Sequence, residues 1–491
     1  MNAAREPGSR RRVAARGARP SLRVTRAAVV PAVLVLLALV GAGLTALSGG
    51  GDPAPVGATT TGTLVDHTTF ACPDLPAARG TTSSVGLGLA PAPADVQPPG
   101  GGSVTQGPVT SAADSDGRPV DVRRGSVVGL RADGGPAVDA TGGAAAGLFG
   151  FRTDAESGRT LAVDSCPAPR SQWWFTGAGA GLDHSSTLVL ANLDPGPAVL
   201  DLHVLGPDGP VDTVATDGIT LAPHSVKRVA LSEIAPQTDE LAVHVSTSRG
   251  RVAASVDDRY SPRPSAAQGQ EWLSGTDLPS RTLRLAGLPA TTARTTLLVA
   301  NPSDSEAVVD VRLAGKAGTF APAGLDAVTV APGAVESVDL SKVLPKKEPL
   351  AVRLRSQVPV VASVRSLAGD DHSYATPVAP LVGPAAAPVV KGADPTVQLT
   401  AGAVAAKATV TAYDAKGAKV DSTALTVDAT ATAAWSPKKG AAYVVVEPAP
   451  REDGGGALHG AVTYAGGGAA SVPLTALPLR VERPRVQPGL G

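Results

Sequence analysis

The tripeptide Asp-His-Ser occurs twice in the sequence, at Asp183-His184-Ser185 and at Asp371-His372-Ser373. These residue types form hydrolytic triads, in which His activates Ser and Asp orients His. A triad needs side chains that converge from separate segments, and adjacent residues on a strand or turn do not converge. We therefore interpret both tripeptides as polar loop residues. The sequence also lacks Gly-x-Ser-x-Gly and His-Glu-x-x-His, so we predict no catalytic residues and no enzyme.

Two acidic pairs, Asp257-Asp258 and Asp370-Asp371, stand near the ends of predicted strands. Calcium takes six or more oxygen ligands, and each pair offers only two carboxylates. Zinc is also disfavoured, because the seven His are scattered and no Cys-x-x-Cys occurs. The glycine runs at 454–456 and 466–468 lack the Lys-Ser/Thr that follows a phosphate-binding loop. We predict neither a metal nor a cofactor.

The densest aromatic cluster is Trp173-Trp174-Phe175. Exposed rings of this kind can stack on sugar faces, whereas buried rings anchor a strand in a core. Aligned on its glycine, the second copy of the repeat described below has Leu283 and Leu285 at the positions of Trp173 and Phe175. This favours a core role for those two rings and leaves Trp174 as the exposed ring. Both interpretations stay open: a strand anchor, and a candidate glycan-binding site at Trp173, Trp174 and Phe175.

These residues belong to a repeat with an offset of 109 positions. Ser-Thr-Leu-Val-Leu-Ala-Asn at 186–192 returns as Thr-Thr-Leu-Leu-Val-Ala-Asn at 295–301, and the same offset relates 221–223 to 330–332 and 241–243 to 350–352. One register over three separated matches indicates a duplicated domain. Two of the three Asn in the chain, Asn192 and Asn301, are equivalent and end an apolar run. We predict that both are structural turn residues at strand ends.

Short alternating or apolar runs, separated by Gly, Pro and Asp, predict about seven strands in each copy and no convincing helix. Alternation with a period of two implies that each strand buries one face. The predicted fold class is all-β, with tandem immunoglobulin-like β-sandwich domains after one N-terminal transmembrane helix. We place a degenerate, disulfide-framed β domain at 66–170, sandwich repeats at 171–280 and 281–387, a weaker repeat at 388–478 and a loose tail at 479–491.

The first 48 residues predict a membrane anchor. Residues 1–26 contain eight Arg and one Glu, and residues 27–48 are uncharged and mostly apolar. About 20 apolar residues cross a bilayer as a helix, and the positive-inside rule keeps the Arg-rich tail in the cytoplasm. We predict a single-pass cell-membrane protein whose extracytoplasmic bulk follows a Gly/Pro linker at 49–65. The alternative is a cleaved signal peptide, because the small residues at 42–48 suit a peptidase.

The two cysteines, Cys72 and Cys166, both follow the predicted anchor. An even number of cysteines in an exported chain indicates a disulfide, which here frames the first β domain. Beyond residue 26, acidic residues outnumber basic ones. Because nucleic-acid binding draws on clustered Lys and Arg, we expect no nucleic-acid partner.

Several motifs together resemble an uncharacterised family of actinobacterial envelope proteins. They are Cys-Pro at 72–73 and 166–167, Trp-Trp-Phe-x-Gly at 173–177, Leu-Val-Leu-Ala-Asn at 188–192 and Gln-Glu-Trp-Leu at 270–273. The resemblance covers nearly everything after the predicted anchor. It implies a Gram-positive, high-GC host and a membrane-anchored domain array, and it implies no activity and no site residues.

The leading hypothesis is a non-enzymatic interaction or scaffold protein of the bacterial cell envelope. Its expected partners are the cytoplasmic membrane, through residues 27–48, and an envelope protein. The alternative is a wall-glycan-binding accessory module beside a glycan-assembly enzyme, which rests on the Trp173 cluster, Trp272 and Trp435. A hydrolase with an unfamiliar site is a third hypothesis, since fold alone excludes no function.

Overall fold

The computed structural model describes residues 63–481 except 74, 77–79, 93–100, 109–117, 131–134, 214–215, 262, 264–267, 326, 346–347, 451–455 and 478. Gly62–Gly491 forms one compact unit. The predicted cytoplasmic tail and anchor, at 1–26 and 27–48, lie outside the described residues. Within the described ranges, no helix is long and apolar enough to cross a membrane. The described chain is nearly all β, which confirms the predicted all-β class.

Four pairs of sheets follow one another along the chain, each drawn from one continuous stretch. The first pair and the short strand before it contain β1 (Thr63–Leu64), β2 (His67–Ala71), β3 (Thr82–Leu89), β4 (Val104–Pro108), β5 (Arg118–Pro119), β6 (Val127–Leu130), β7 (Pro136–Thr141), β8 (Leu148–Glu156) and β9 (Thr160–Ser165). The second pair contains β10 (Gln172–Ala178), β11 (His184–Asn192), β12 (Ala198–Gly206), β13 (Gly209–Pro210), β14 (Ile219–Leu221), β15 (Ser225–Ala230), the one-turn helix α1 (Leu231–Ile234), β16 (Leu241–Arg249), β17 (Ala253–Tyr260) and β18 (Gly269–Leu273).

The second half of the chain continues in the same way. The third pair contains β19 (Ser280–Leu288), β20 (Arg294–Ala300), β21 (Ala307–Gly315), β22 (Gly318–Phe320), β23 (Val328–Val330), β24 (Val335–Asp339), β25 (Leu350–Ala368) and β26 (Asp371–Ala375). The fourth pair and the final short strand contain β27 (Ala385–Pro388), β28 (Asp394–Ala401), β29 (Ala406–Tyr413), β30 (Lys419–Val427), β31 (Thr432–Trp435), β32 (Tyr443–Pro448), β33 (Leu458–Ala465), β34 (Ala470–Pro473), β35 (Thr475–Ala476) and β36 (Arg480–Val481). Strand β36 pairs with β1, so part of the predicted loose tail is a strand.

The four pairs share one strand order, and the described strands pair antiparallel throughout. One sheet of each pair has the order β5-β4-β7-β2, β13-β12-β16-β10, β22-β21-β25-β19 or β30-β29-β32-β27. The other sheet has the order β6-β3-β8-β9, β15-β11-β17-β18, β24-β20-β25-β26 or β31-β28-β33-β34. The topology is therefore repeated four times, including in the first pair, where the sequence repeat is weakest. The predicted boundaries between domains stay a prediction, because the described strands form one compact unit.

Each core lies between the two sheets of a pair. In the second pair, Leu200, Leu202 and Val204 alternate along β12 and meet Leu188 and Leu190 from β11 in the facing sheet. Each of these side chains is nearly or fully buried. The period of two thus places the apolar face inward, as expected for strands with one buried face.

Strand β25 differs from its counterparts because it takes part in both sheets. In the second pair, β16 and β17 are separate, and Gly250 between them has φ of +74°. The repeat offset places Pro359 at this position in the third pair. Proline is fixed near φ of about −65° and cannot form this left-handed turn, so the chain continues as one strand of 19 residues.

Asn192 and Asn301 make equivalent hydrogen bonds, and both are fully buried. In each case three main-chain oxygens lie within hydrogen-bond distance of Nδ2 and share its two hydrogens, and Oδ1 accepts from one main-chain N–H. The partners of Asn192 are Gly196, Leu221, Ala222 and Asp194. The partners of Asn301 are Ser305, Val330, Ala331 and Ser303. Every partner is shifted by the repeat offset, so the duplication extends to the bonds that hold these turns.

A disulfide joins Cys72, after β2, to Cys166, after β9. It links the two sheets of the first pair and confirms the predicted bridge.

Candidate functional site

Four outer strands, one from each sheet pair, meet at the centre of the unit. Strands β9, β18, β26 and β34 each lie at the edge of their sheet, and each adjoins the next, with β34 adjoining β9. We call this meeting of strands the central junction. An edge strand has main-chain N–H groups that no neighbouring strand pairs, and a buried N–H without an acceptor costs about 1–3 kcal/mol. The junction therefore requires acceptors from elsewhere.

Glu271, on β18, supplies acceptors to three of these N–H groups. Its Oε1 accepts from Val163 of β9 at 3.1 Å and from Trp272 at 2.9 Å, and its Oε2 accepts from Ser471 of β34 at 3.1 Å. The side chain is fully buried. Burial raises the pKa of Glu271 well above its usual range, against the opposing effect of the N–H donors. One carboxyl group thus joins the first, second and fourth sheet pairs.

Asp371, on β26, plays the matching role from the third pair. Its Oδ2 accepts from the main-chain N–H of Leu161 at 3.0 Å and of Ala469 at 2.8 Å, and its Oδ1 accepts from Gln270 at 3.2 Å. Burial raises the pKa of Asp371 to about 6, although His372 and the N–H donors favour the charged form. The pair Asp370-Asp371 is therefore split: Asp371 binds the junction, and Asp370 is exposed and pairs with Arg263 at 2.9 Å.

A second buried group, which we call the Asp258 cluster, lies between the second and third sheet pairs. His184 Nε2 and His372 Nε2 donate to the two oxygens of Asp258, at 2.9 and 3.1 Å, and Tyr374 donates its hydroxyl at 2.8 Å. Ser186 completes the cluster as a further hydroxyl donor to Asp258. Burial alone would raise the pKa of Asp258, but the two histidines outweigh it and hold the pKa below its usual range.

The Asp258 cluster corrects the interpretation of the two Asp-His-Ser tripeptides. Only Asp183 lies outside a strand: His184 begins β11, His372 lies on β26, and both histidine side chains are buried. The two histidines occupy different positions of different sheet pairs, and they converge on Asp258 of β17, His184 from the second pair and His372 from the third. In the sequence, the repeated tripeptide is the one sign of this cluster. Aligning the two copies of the repeat hides it, because the two histidines do not fall at equivalent positions. All side chains of the Asp258 cluster are nearly or fully buried.

The Trp173 cluster is buried as well, with exposures of 4% for Trp173, 5% for Trp174 and 0% for Phe175. Trp173 donates from Nε1 to the main-chain oxygen of Val252 at 2.8 Å and lies in the second core. The prediction that Trp174 is exposed is wrong. Its indole stacks on His244 and packs against an apolar cluster that the third sheet pair completes, with Ala300, Val335 and Val361.

The other two tryptophans differ in burial. Trp272 is fully buried at the central junction and donates from Nε1 to Asp154 Oδ2 at 2.7 Å. Trp435 is half-buried against the fourth core. The rings that supported glycan stacking thus serve mainly as packing groups.

A cavity of about 380 Å³ opens at one end of the central junction. Turns that lead into β9, β18, β26 and β34 line it, together with the turn after β19. The lining residues are Gly158, Arg159, Thr160, Gln268, Pro289, Thr291, Ala368, Gly369, Asp370 and the stretch 464–469. The turn at 466–468 passes very close to β9: Gly468 has φ of +130°, and a Cβ there would collide with the main chain at Leu161. All four sheet pairs therefore contribute to one concave surface, which is the candidate binding site.

In the described part of the chain, no group of three or more His, Cys, Asp or Glu side chains is arranged to hold a metal ion. The polar side chains with the strongest pKa shifts hold strands together, and the cavity is lined by main chain, small side chains and exposed Arg and Asp residues. A cavity lined in this way is suited to binding a ligand.

The profile of a family of unknown function, DUF5719, matches residues 109–438, more than half of the chain. The chain belongs to the DUF5719 family. This confirms the resemblance to an uncharacterised family, whereas the actinobacterial host stays a prediction. A search of curated proteins found no match.

The DUF5719 match contains the second and third sheet pairs whole, and with them Asp258, Glu271 and Asp371. It therefore includes both strands that supply carboxylates to the central junction. Cys72 and strand β34 lie outside the DUF5719 match.

Proposed function

We propose that this protein is a non-enzymatic interaction and scaffold protein of the bacterial cell envelope. The observation that carries the proposal is the central junction, where Glu271 and Asp371 bind edge strands from all four sheet pairs. Buried side chains that could do acid–base chemistry are committed to holding the sheet pairs together. Such a construction presents several surfaces in a fixed relation, which is what a scaffold requires.

The sheet pairs also contact one another in a closed cycle. Apolar clusters join the first pair to the second, the second to the third, and the fourth to the first. Between the third and fourth pairs, Gln398 Nε2 donates to the Leu288 oxygen at 2.8 Å, and Ser471 donates to the Gly287 oxygen at 2.9 Å. Closure removes the independent movement that a linear array of domains would have. This rigidity supports a platform that holds partners at set positions.

We further propose that each sheet pair is an immunoglobulin-like β-sandwich, and that residues 27–48 anchor the array in the cytoplasmic membrane with residues 1–26 in the cytoplasm. Paired antiparallel sheets around one core support the first assignment. The uncharged run after eight Arg supports the second, and the disulfide is typical of an oxidising compartment outside the cytoplasm.

Thiol labelling tests the topology, because the structure has no free cysteine among its described residues and both cysteines form the disulfide. A Ser9→Cys variant places a thiol in the Arg-rich tail, and a Lys391→Cys variant places one on the exposed surface of the fourth pair. In intact cells, a membrane-impermeant maleimide should label Lys391→Cys alone. Labelling of Ser9→Cys before the membrane is opened would overturn the proposed orientation.

Cosedimentation of the full chain with cell walls, before and after wall proteins are stripped, tests the scaffold function. A protein partner predicts binding that is lost on stripping, followed by recovery of a specific crosslinked partner from intact cells. Binding that survives stripping would favour the alternative, a wall-glycan-binding accessory module. That alternative has lost its main support, because Trp173 and Trp174 are buried. Turnover of an envelope substrate by the pure chain would overturn the non-enzymatic proposal.

A further inference from the structure

We propose that the cavity over the central junction binds a neutral, polyhydroxylated ligand: a sugar unit, either free or at the end of a glycan. This goes beyond the scaffold function, because it concerns a small ligand rather than a protein partner. The size fits, since small-molecule sites occupy about 300–1,000 Å³ and this cavity measures about 380 Å³. It also stands where four sheet pairs converge, a position at which a ligand contacts several of them.

The charges around the cavity favour a neutral ligand. Arg159 pairs with Glu156, and Asp370 pairs with Arg263, so each charge at the rim already has a partner. Beneath the lining, the buried Asp371 accepts from the N–H of the lining residue Ala469, and the Asp394 carboxylate lies against Gly466. An anion would lie near these two carboxylates, while Arg159, the one cation among the described lining residues, is already paired. A metal cation would lack a set of ligands, because no metal-binding group of three or more side chains exists in the described ranges.

The wall favours a ligand that can both donate and accept hydrogen bonds. Most lining residues are Gly, Ala, Thr or Pro, so main-chain N–H and C=O groups make up much of the surface. Gln268 adds an amide, and the Arg159 and Asp370 side chains are about half exposed and remain accessible at the rim. Hydroxyl groups match both donors and acceptors. Pro289, which is half-buried, supplies a limited apolar surface suited to the C–H face of a sugar.

Saturation-transfer NMR and calorimetry on the full chain, purified without sugar-headed detergent, test the proposal. The probes are glucose, galactose, mannose, arabinose and N-acetylglucosamine, then soluble wall-glycan fragments, and inorganic phosphate as the anionic probe. Arg159→Ala and Asp370→Asn should each weaken sugar binding about tenfold, a loss typical of one charged hydrogen-bonding partner. The matched controls are Arg312→Ala and Asp310→Asn, an exposed Arg–Asp pair outside the cavity, and they should bind as the unchanged chain does.

Binding of free monosaccharides, weakened only in the cavity variants, supports a free-sugar ligand. Binding of glycan fragments alone, with the same variant pattern, supports a glycan end. The proposal is overturned by binding of phosphate in place of sugars, by no binding of any probe, or by equal binding in cavity and control variants. Capture of a protein partner from walls is measured in the same variants and should be unchanged, so failure of this proposal is distinguishable from failure of the scaffold function.

Discussion

The Asp258 cluster and the carboxylates of the central junction are both buried between sheet pairs, but different groups surround them. Asp258 receives side-chain donors from two imidazoles and two hydroxyls. Glu271 and Asp371 receive main-chain N–H groups of edge strands. Side-chain imidazoles stabilise the charged form strongly, so the pKa of Asp258 lies below its usual range, whereas burial raises the pKa of Glu271 and Asp371. Burial alone therefore does not determine how an acid responds to pH.

The difference also separates two ways of joining sheet pairs. The Asp258 cluster joins the second pair to the third through hydrogen bonds between side chains. Replacing one of these side chains does not remove the acceptor of a main-chain N–H at the central junction. The central junction joins all four pairs by completing the hydrogen bonding of edge strands. Edge strands left open invite pairing with other chains. The junction carboxylates thus hold the sheet pairs together and also pair N–H groups of edge strands that would otherwise be open.

Asp258→Ala should cause the largest loss of stability. It leaves His184 and His372 buried without their shared acceptor, and breaking a buried charged pair costs about 3–5 kcal/mol. The free energy of unfolding, measured by urea denaturation of the full chain, should fall by that amount. Asp310→Ala is the matched control, because its pair with Arg312 is exposed and such pairs contribute about 0–1 kcal/mol. Equal losses in the two variants would show that the Asp258 cluster is not a stabilising junction.

Glu271→Gln should cost about 1–3 kcal/mol. The amide keeps one accepting oxygen, but its NH₂ group replaces the other and faces a main-chain N–H of Val163 or Ser471. Two donors cannot pair, so one edge N–H loses its acceptor. The control is Glu156→Gln, whose exposed partner is Arg159. If Glu271→Gln were as stable as the unchanged chain, the carboxylate would not be needed to complete the edge strands.

The two regions should respond to pH with opposite signs. For Asp371, whose pKa is raised to about 6, the folded state holds its proton longer than the unfolded state, so its stability contribution falls as pH rises from about 4 to about 6. For Asp258, whose pKa is lowered, the contribution is present above about pH 4 and is lost as pH falls further. Each slope is at most about 1.4 kcal/mol per pH unit and per proton.

The free energy of unfolding of the unchanged chain is compared with that of Asp371→Asn and that of Asp258→Asn, from about pH 6 to below about pH 4. The contributions of the other carboxyl groups cancel in each difference. The stability difference for Asp371→Asn should decline with rising pH between about 4 and 6. The difference for Asp258→Asn should shrink as pH falls below about 4. The same sign in both variants would contradict the contrast between the two regions.

Features that depend on neighbouring residues were accessible from the sequence. The alternation along β12, the repeat offset and the disulfide follow from local spacing or from residue counting, and the structure has each of them. The break at Gly250 and its absence at Pro359 are also encoded locally, because glycine adopts a positive φ and proline does not.

The junctions were not accessible, because they depend on how the sheet pairs pack. Nothing near Glu271 in the sequence indicates that it accepts N–H groups from β9 and β34, which lie about 100 and 200 residues away in either direction along the chain. We predicted that Trp174 is exposed from a comparison of the two copies of the repeat, which says nothing about contacts between sheet pairs. In the structure the third pair covers its ring. Comparing equivalent positions within the repeat also discards contacts such as those of His184 and His372 with Asp258, in which the copies play unequal roles.

The smallest effect should come from Asp370, the neighbour of Asp371 in sequence. Asp370 is exposed and its only charged partner among the described residues is Arg263, itself exposed. Asp370→Asn should therefore change the free energy of unfolding by less than about 1 kcal/mol. Asp371→Asn should cost more, because the amide NH₂ cannot accept from the N–H groups that one carboxylate oxygen serves, those of Leu161 and Ala469 or that of Gln270. Urea denaturation of the two variants side by side measures this. The two carboxyl groups are adjacent in sequence, but Asp371 is buried and Asp370 is exposed. Equal losses of unfolding free energy in the two variants would mean that the buried N–H contacts of Asp371 contribute nothing to holding the four sheet pairs together.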